Sequence, residues 1–109
     1  MSNSRLYELH ASICQTLSNA KRLEVIDCLR DGELPVIRLA EITNISQANL
    51  SQHLALMREK GILIARREGV NVFYRLSNPK ITLACDLMRQ VLLEHLEAAG
   101  ELAETSRNQ

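Results

Sequence analysis

The chain has 109 residues, 46% of them hydrophobic and 24% charged, which suits one compact domain and leaves too little core for a two-domain enzyme. Thirteen basic residues balance thirteen acidic ones, so net charge supplies neither a polybasic tail nor a strongly acidic binding surface. Tyr7, Phe73 and Tyr74 are the only aromatic residues, which argues against a single-strand nucleic-acid binder that stacks bases on rings.

Leu6, Leu9, Ile13 and Leu17 recur at helical spacing and predict a first amphipathic helix over residues 5–17. Ser18 or Asn19 can cap a second, which carries Leu23, Ile26 and Leu29 inward and is expected to stop at Gly32. Pro35, suited to a helix's first turn, opens a short third segment through Ile42, with Leu39 and Ala40 inward. Thr43-Asn44-Ile45 then reads as a tight turn. Ser46 is a good N-cap for a fourth helix over residues 47–60, with Leu50, Leu54 and Met57 on its inner side and Gly61 at its end. From Ile62 the period changes. Residues 62–67 and 70–76 are β-rich runs around Glu68-Gly69, a hairpin. Asn78-Pro79 starts a last helix that runs to about Ala99. The expected organisation is one domain over residues 1–100 and a frayed polar tail over 101–109.

Three cysteines, Cys14, Cys28 and Cys85, are odd in number and widely spaced. That pattern speaks against a disulfide framework or zinc ribbon and for a reducing compartment. No basic-then-apolar leader opens the chain, and no apolar run is long enough to cross a bilayer. The expectation is a soluble cytoplasmic protein with no membrane partner.

The balanced total hides a local asymmetry. Residues 1–35 hold four basic and five acidic groups, residues 36–76 six and three, and residues 77–109 three and five. The middle segment, helix-turn-helix plus hairpin, is therefore net positive between two acidic flanks, a modest footprint of phosphate binding. At roughly 100° per residue, Ala48, Asn49, Ser51 and Gln52 turn outward on the fourth helix, with Ser46 and Gln47 at its tip. Gln and Asn can bond adenine N6 and N7 together, Ser reads base or phosphate, and Ala48 can touch a thymine methyl. His53 lies nearer the inner side and reads as a structural histidine. Arg66 and Arg67 lead into the hairpin turn, where cations can follow a phosphate backbone.

Leu17-Ser18-Asn19-Ala20-Lys21-Arg22-Leu23, the run from Ile45 to Leu54 with its S-Q-H-L, Arg66-Arg67-Glu68-Gly69 and Val72-Phe73-Tyr74-Arg75-Leu76 together resemble the ArsR/SmtB family of small prokaryotic repressors. The likeness covers nearly the whole chain. It implies a mainly α (α+β) winged helix-turn-helix, with four helices, a two-stranded wing and a fifth helix, that sits on operator DNA as a homodimer and leaves when an effector binds. Independently, ten of the sixteen residues from Ile81 to Leu96 are apolar. Nine of them span about 220° of the helix circumference, wider than one core requires. The first and last helices of an identical subunit are the simplest cover.

The resemblance also directs attention to effector sites. Where the family's metalloid box carries two cysteines in the third helix, Pro35 and Ile37 stand here. At the places of its last-helix metal site stand Thr82, Ala84, His95 and Ala98, and His95 alone is a ligand type. A buried histidine satisfied across the dimer is the plain reading of His95, with use as a pH-sensitive group beside it. Cys85 and Cys14 are the candidates for sensing a soft metal, a metalloid or an oxidant, against the plain reading of cysteine as a small buried hydrophobe. Cys28 is expected on the core side of helix 2. No Ser-His-Asp order, H-E-x-x-H or Gly-rich phosphate loop suggests catalysis. The function expected is a homodimeric DNA-binding repressor released by a metal, metalloid or thiol-reactive signal, with no cofactor beyond that effector. The alternative is a winged helix used only to bind protein.

Overall fold

The computed structural model describes residues 3–100. They form α1 (Asn3–Leu17), α2 (Ala20–Cys28), β1 (Leu34–Pro35), α3 (Val36–Thr43), α4 (Gln47–Glu59), β2 (Leu63–Glu68), β3 (Asn71–Leu76) and α5 (Lys80–Ala98). The chain divides into two compact units, one running to Pro79 and one from Lys80 onward. The tail expected to fray lies outside the described residues.

Local chemistry sets the boundaries. Asn19 is extended (φ −154°, ψ 123°), and its side chain accepts from the Arg22 N–H at 3.1 Å, satisfying one of the open donors of α2's first turn. Ser18 instead donates its hydroxyl back to the Cys14 carbonyl at 2.8 Å. The second helix ends before the expected Gly32. Leu29 caps it at φ −92°, ψ 7°, and its N–H reaches back to Ile26 and Val25, so residues 29–32 form a turn.

Between α3 and α4, Asn44 adopts the left-handed conformation (φ 55°, ψ 34°), which Asn tolerates better than a branched residue. Ser46 then accepts the Asn49 N–H on its hydroxyl at 3.3 Å. At the far end of α4, Gly61 has φ +78°. Its N–H bonds the Arg58 carbonyl and the Ile62 N–H bonds the Met57 carbonyl, the double bond pattern of a Schellman stop. Met57 and Ile62, the apolar pair that accompanies this stop, are both buried.

The sheet has one strand more than the sequence reading expects. Leu34 and Pro35 pair antiparallel with Tyr74 and Phe73, giving the order β1-β3-β2. Pro35 is therefore extended (φ −74°, ψ 155°) and precedes α3 rather than opening it. A two-residue edge strand tolerates a residue with no N–H to donate. The hairpin turn also shifts by one. Glu68 pairs with Asn71, leaving Gly69 and Val70 at the tip, because a two-residue turn needs a positive φ at its first central position and Gly69 (φ +63°) supplies it.

The core of the first unit gathers Val25, Ile26 and Leu29 from α2, Leu39 from α3, Leu50, Leu54 and Met57 from α4, and Leu63 and Tyr74 from the sheet. Val25 is fully buried where Leu23 was expected, and Leu23 is half-buried. Ser77 closes the unit, its hydroxyl bonding the Gly61 carbonyl at 2.6 Å and its N–H the Ile62 carbonyl at 2.9 Å. In the second unit α5 has no buried residue. Among the described residues no helix is long and apolar enough to cross a membrane.

Candidate nucleic-acid interface

Helix α4 is divided along its length into two chemistries. Leu50, Leu54 and Met57 are buried, whereas Ser46, Gln47, Ala48, Asn49, Ser51 and Gln52 are all exposed. The 3.6-residue period puts the apolar set on the core and leaves the small polar set at the N-terminal half of the outer face. All six expected contact residues of this helix therefore share one open surface.

Beside that surface lies a cleft of about 410 Å³, lined by Lys21 of α2, the Asn44–Ser46 turn, and Asn49, Gln52 and His53 of α4. Lys21 was not among the expected contacts. Its signal was its place at the start of α2, two residues after the Asn19 cap, and its ammonium pairs with exposed Glu24 at 3.2 Å. His53 is half-buried and accepts a hydrogen bond on Nδ1 from Arg22 Nε at 3.2 Å. Arg22 Nη1 also donates to the Thr16 carbonyl at 2.7 Å. Burial, and then the Arg22 charge, hold the His53 imidazole below its ordinary pKa, so the ring is kept neutral and able to accept.

The wing arginines fare differently. Arg67 is exposed and makes no ion pair among the described residues. Arg66 donates to Glu33 through Nε at 3.2 Å and Nη2 at 2.5 Å, and to Glu68 through Nη1 at 2.7 Å. Its guanidinium also lies 4.7 Å from the centre of the Phe73 ring. This cation is engaged by two carboxylates and an aromatic face.

The residues considered for sensing do not converge on a metal centre. Cys14 is exposed on α1, Cys85 is half-buried on α5, and His95 is exposed on α5 rather than buried within the protomer. Half-buried Cys28 has its thiol pushed up by burial, then by Asp27 and Glu24. Among the described residues no three His, Cys, Asp or Glu side chains are grouped to hold a metal ion. Pro35 and Ile37 offer no ligand, and Thr82, Ala84 and Ala98 leave His95 without companions at the last-helix positions, so the residues present do not fit either metal site that the resemblance implies.

A two-faced helix after a tight turn, followed by a hairpin, is the architecture of a winged helix-turn-helix, and comparison with known proteins agrees. Residues 19–65 match the model of the arsR family of bacterial regulatory proteins. The transcriptional activator HlyU of Vibrio cholerae is 34% identical over 79 residues, 72% of this chain and 73% of that protein. The chain belongs to the arsR family. The biofilm growth-associated repressor of Xylella fastidiosa is 40% identical over 70 residues, covering 64% of this chain and 61% of that protein. The solution structure of a homodimeric winged helix-turn-helix DNA-binding domain from Mycobacterium bovis superposes with a TM-score of 0.79 at 30% identity, over 90% of this chain and 93% of that one. This arsR-family chain is a DNA-binding transcriptional regulator and not an enzyme.

Proposed function

We propose that this protein is a homodimeric repressor that places the N-terminal half of α4 in the major groove of operator DNA and is released by a metal, metalloid or thiol-reactive signal. The observation that carries the reading is the polar outer face of α4. Six small or amide side chains, from Ser46 to Gln52, stand exposed around a helix whose other face is locked into the core. Such a face can present Gln47, Asn49 and Gln52 to adenine edges, Ser46 and Ser51 to bases or phosphates, and Ala48 to thymine methyls. Arg67 follows the backbone from the wing, while Arg66 is assigned to holding the wing in shape.

The second copy is argued from apolar surface that the protomer leaves bare. On α5, Leu83, Leu87, Met88, Val91, Leu92 and Leu93 are each at least 40% exposed, and α1 exposes Leu6, Tyr7 and Leu9. Large apolar side chains left bare on a helix in this number mark a protein interface. An identical subunit covering it generates the two-fold pair of recognition helices that an operator palindrome needs. The biofilm growth-associated relative supplies the repressor sense, and Cys14 and Cys85 are the thiols offered to the signal.

The test is a gel-shift on the DNA upstream of the protein's own gene, repeated with peroxide, persulfide, arsenite, zinc and cadmium. Binding that one of these reagents abolishes is the expected result. Absence of binding to that DNA under every condition would leave the winged helix as a protein-binding module.

A further inference from the structure

The Arg22–His53 bond has a consequence for the outer edge of the imidazole. A guanidinium can only donate, so Nδ1 of His53 must be the acceptor and the ring proton of the neutral imidazole must sit on Nε2. Among the described residues Nε2 makes no hydrogen bond. Nor is it a buried orphan, since the described residues contain no buried, unpaired side-chain nitrogen or oxygen. Arg22 lines a second cleft, with Ser12, Thr16 and Lys60, whereas His53 lines the cleft beside the outer face of α4. The ring thus has one edge tied inward and a fixed N–H donor on the other.

His53 shares its cleft with Lys21, the Ser46 turn, Asn49 and Gln52. One cation and several neutral donors around an opening of this size suit a singly charged, multi-oxygen anion better than a base edge, which also offers donors to be matched. We propose that this cleft seats one backbone phosphodiester of double-stranded DNA, with His53 donating through Nε2 and Lys21 supplying the charge. Arg22 is then a positioning residue. Tied to the last turn of α1 through the Thr16 carbonyl and to α4 through His53, it selects the imidazole tautomer that presents a donor to the phosphate. The inference rests on the DNA-binding reading and adds to it a phosphate anchor at the inner edge of the recognition helix.

The experiment compares two substitutions that divide the ring's functions. The Gln amide nitrogen in His53→Gln falls near the place of Nε2 and keeps a donor there. His53→Asn keeps an acceptor near the place of Nδ1 and loses the outer donor. Binding is measured to a duplex from the gene's own upstream DNA and to a random duplex of the same length, across a salt series. His53→Asn is expected to weaken both duplexes alike, by about tenfold, as loss of a hydrogen bond to a charged oxygen implies. Its salt slope stays unchanged, because a neutral donor displaces no counterion, and His53→Gln recovers most of the loss. Lys21→Ala is expected to lower the slope by about one.

Nitrogen-15 shifts of the imidazole in the unmutated protein give a reading that needs no variant to fold. They are expected to show the Nε2–H tautomer and to move on adding either duplex; as a separate check, the ring in Arg22→Met is expected to revert toward a tautomer mixture. An unmoved Nε2 signal on saturation with DNA overturns the proposal. So does equal affinity of His53→Asn and the unmutated protein, or a loss confined to the upstream duplex, which would mean a base contact. If the unmutated protein binds neither duplex, the DNA-binding reading falls and the phosphate anchor with it.

Discussion

Arg66 and Glu33, thirty-three positions apart, meet as two parallel hydrogen bonds, Nη2 to Oε1 at 2.5 Å and Nε to Oε2 at 3.2 Å. The pair joins the wing strand β2 to the segment just before β1, across the intervening β3. The bond from Arg66 holds the Glu33 carboxyl below the usual carboxylate range. Because the folded pKa is the lower one, the pair's contribution is present above the unfolded carboxylate value, about 4.3, and is lost as pH falls through the folded value. Glu33→Gln is therefore expected to lower Tm at neutral pH, and the gap should close as the medium is acidified below about pH 4. Circular-dichroism melts across pH check this, and a gap that persists unchanged into acid would refute it.

The two wing arginines should separate in DNA binding. Arg67 has no ion pair among the described residues, so Arg67→Ala is expected to weaken upstream and random duplexes alike and to reduce the salt slope by about one, as loss of one phosphate contact does. Arg66 already has Glu33, Glu68 and the Phe73 face as partners. Arg66→Ala should lower Tm while leaving the salt slope close to that of the unmutated protein. Equal slopes for Arg67→Ala and the unmutated protein would remove Arg67 from the backbone.

What was legible in the sequence was whatever depends on neighbours a few positions apart. The spacing of Leu50, Leu54 and Met57, the Ser46 cap, the turn at Thr43-Asn44-Ile45 and the Gly61 stop are all local, and all stand in the structure. Arg66 reads in the sequence as a cation that can follow a phosphate backbone, because its partner Glu33 is brought to it only by the sheet. The strand at Leu34–Pro35 leaves no local signal for the same reason, being two residues long and defined wholly by pairing with residues 73 and 74. Leu23, Ile26 and Leu29 recur every three residues in the sequence, whereas the rotation of α2 that buries Val25 in place of Leu23 is set by what the other helices leave open. The cleft beside α4 combines Lys21 with residues more than twenty positions later, a juxtaposition no single motif contains.

Subunit association is tested through α5. Leu92 is 53% exposed in the protomer and Val91 beside it 60%, so a charge at Leu92 costs little in the isolated chain and much in an interface that excludes water. Leu92→Glu is expected to shift the protein toward monomer without lowering helix content. Sedimentation velocity at micromolar concentration reads the change, and a monomer for the unmutated chain would refute the dimer.

Sequence discrimination should reside at the tip of α4. Gln47 and Ser51 are one turn apart, both exposed and neither in the core. Gln47→Ala and Ser51→Ala are expected to reduce the preference for upstream over random duplex by about fivefold to 150-fold each, the range of a lost base contact. Thermal stability should be nearly unchanged. Preference preserved in both variants at matched salt would mean that another surface reads the sequence.

The thiols should rank by environment before any question of sensing arises. Cys28 is half-buried, and burial, Asp27 and Glu24 all push its thiol up, leaving less thiolate at neutral pH and slower attack on an alkylating or disulfide reagent. Cys14 is exposed on α1 and should be modified first. Mass-mapped alkylation with iodoacetamide in the folded protein is expected to show Cys14 ahead of Cys28 and the difference to vanish on denaturation. If the regulatory signal acts through thiols, modification must favour the DNA-incompetent form, and ordinary coupling of about 1–3 kcal/mol corresponds to roughly a fivefold to 150-fold loss of DNA affinity. Cys14→Ser and Cys85→Ser should then resist the reagent that releases the unmutated protein. Equal release of all three proteins, or release of none, by peroxide, persulfide, arsenite and cadmium would make both cysteines packing residues and move the search for the signal elsewhere.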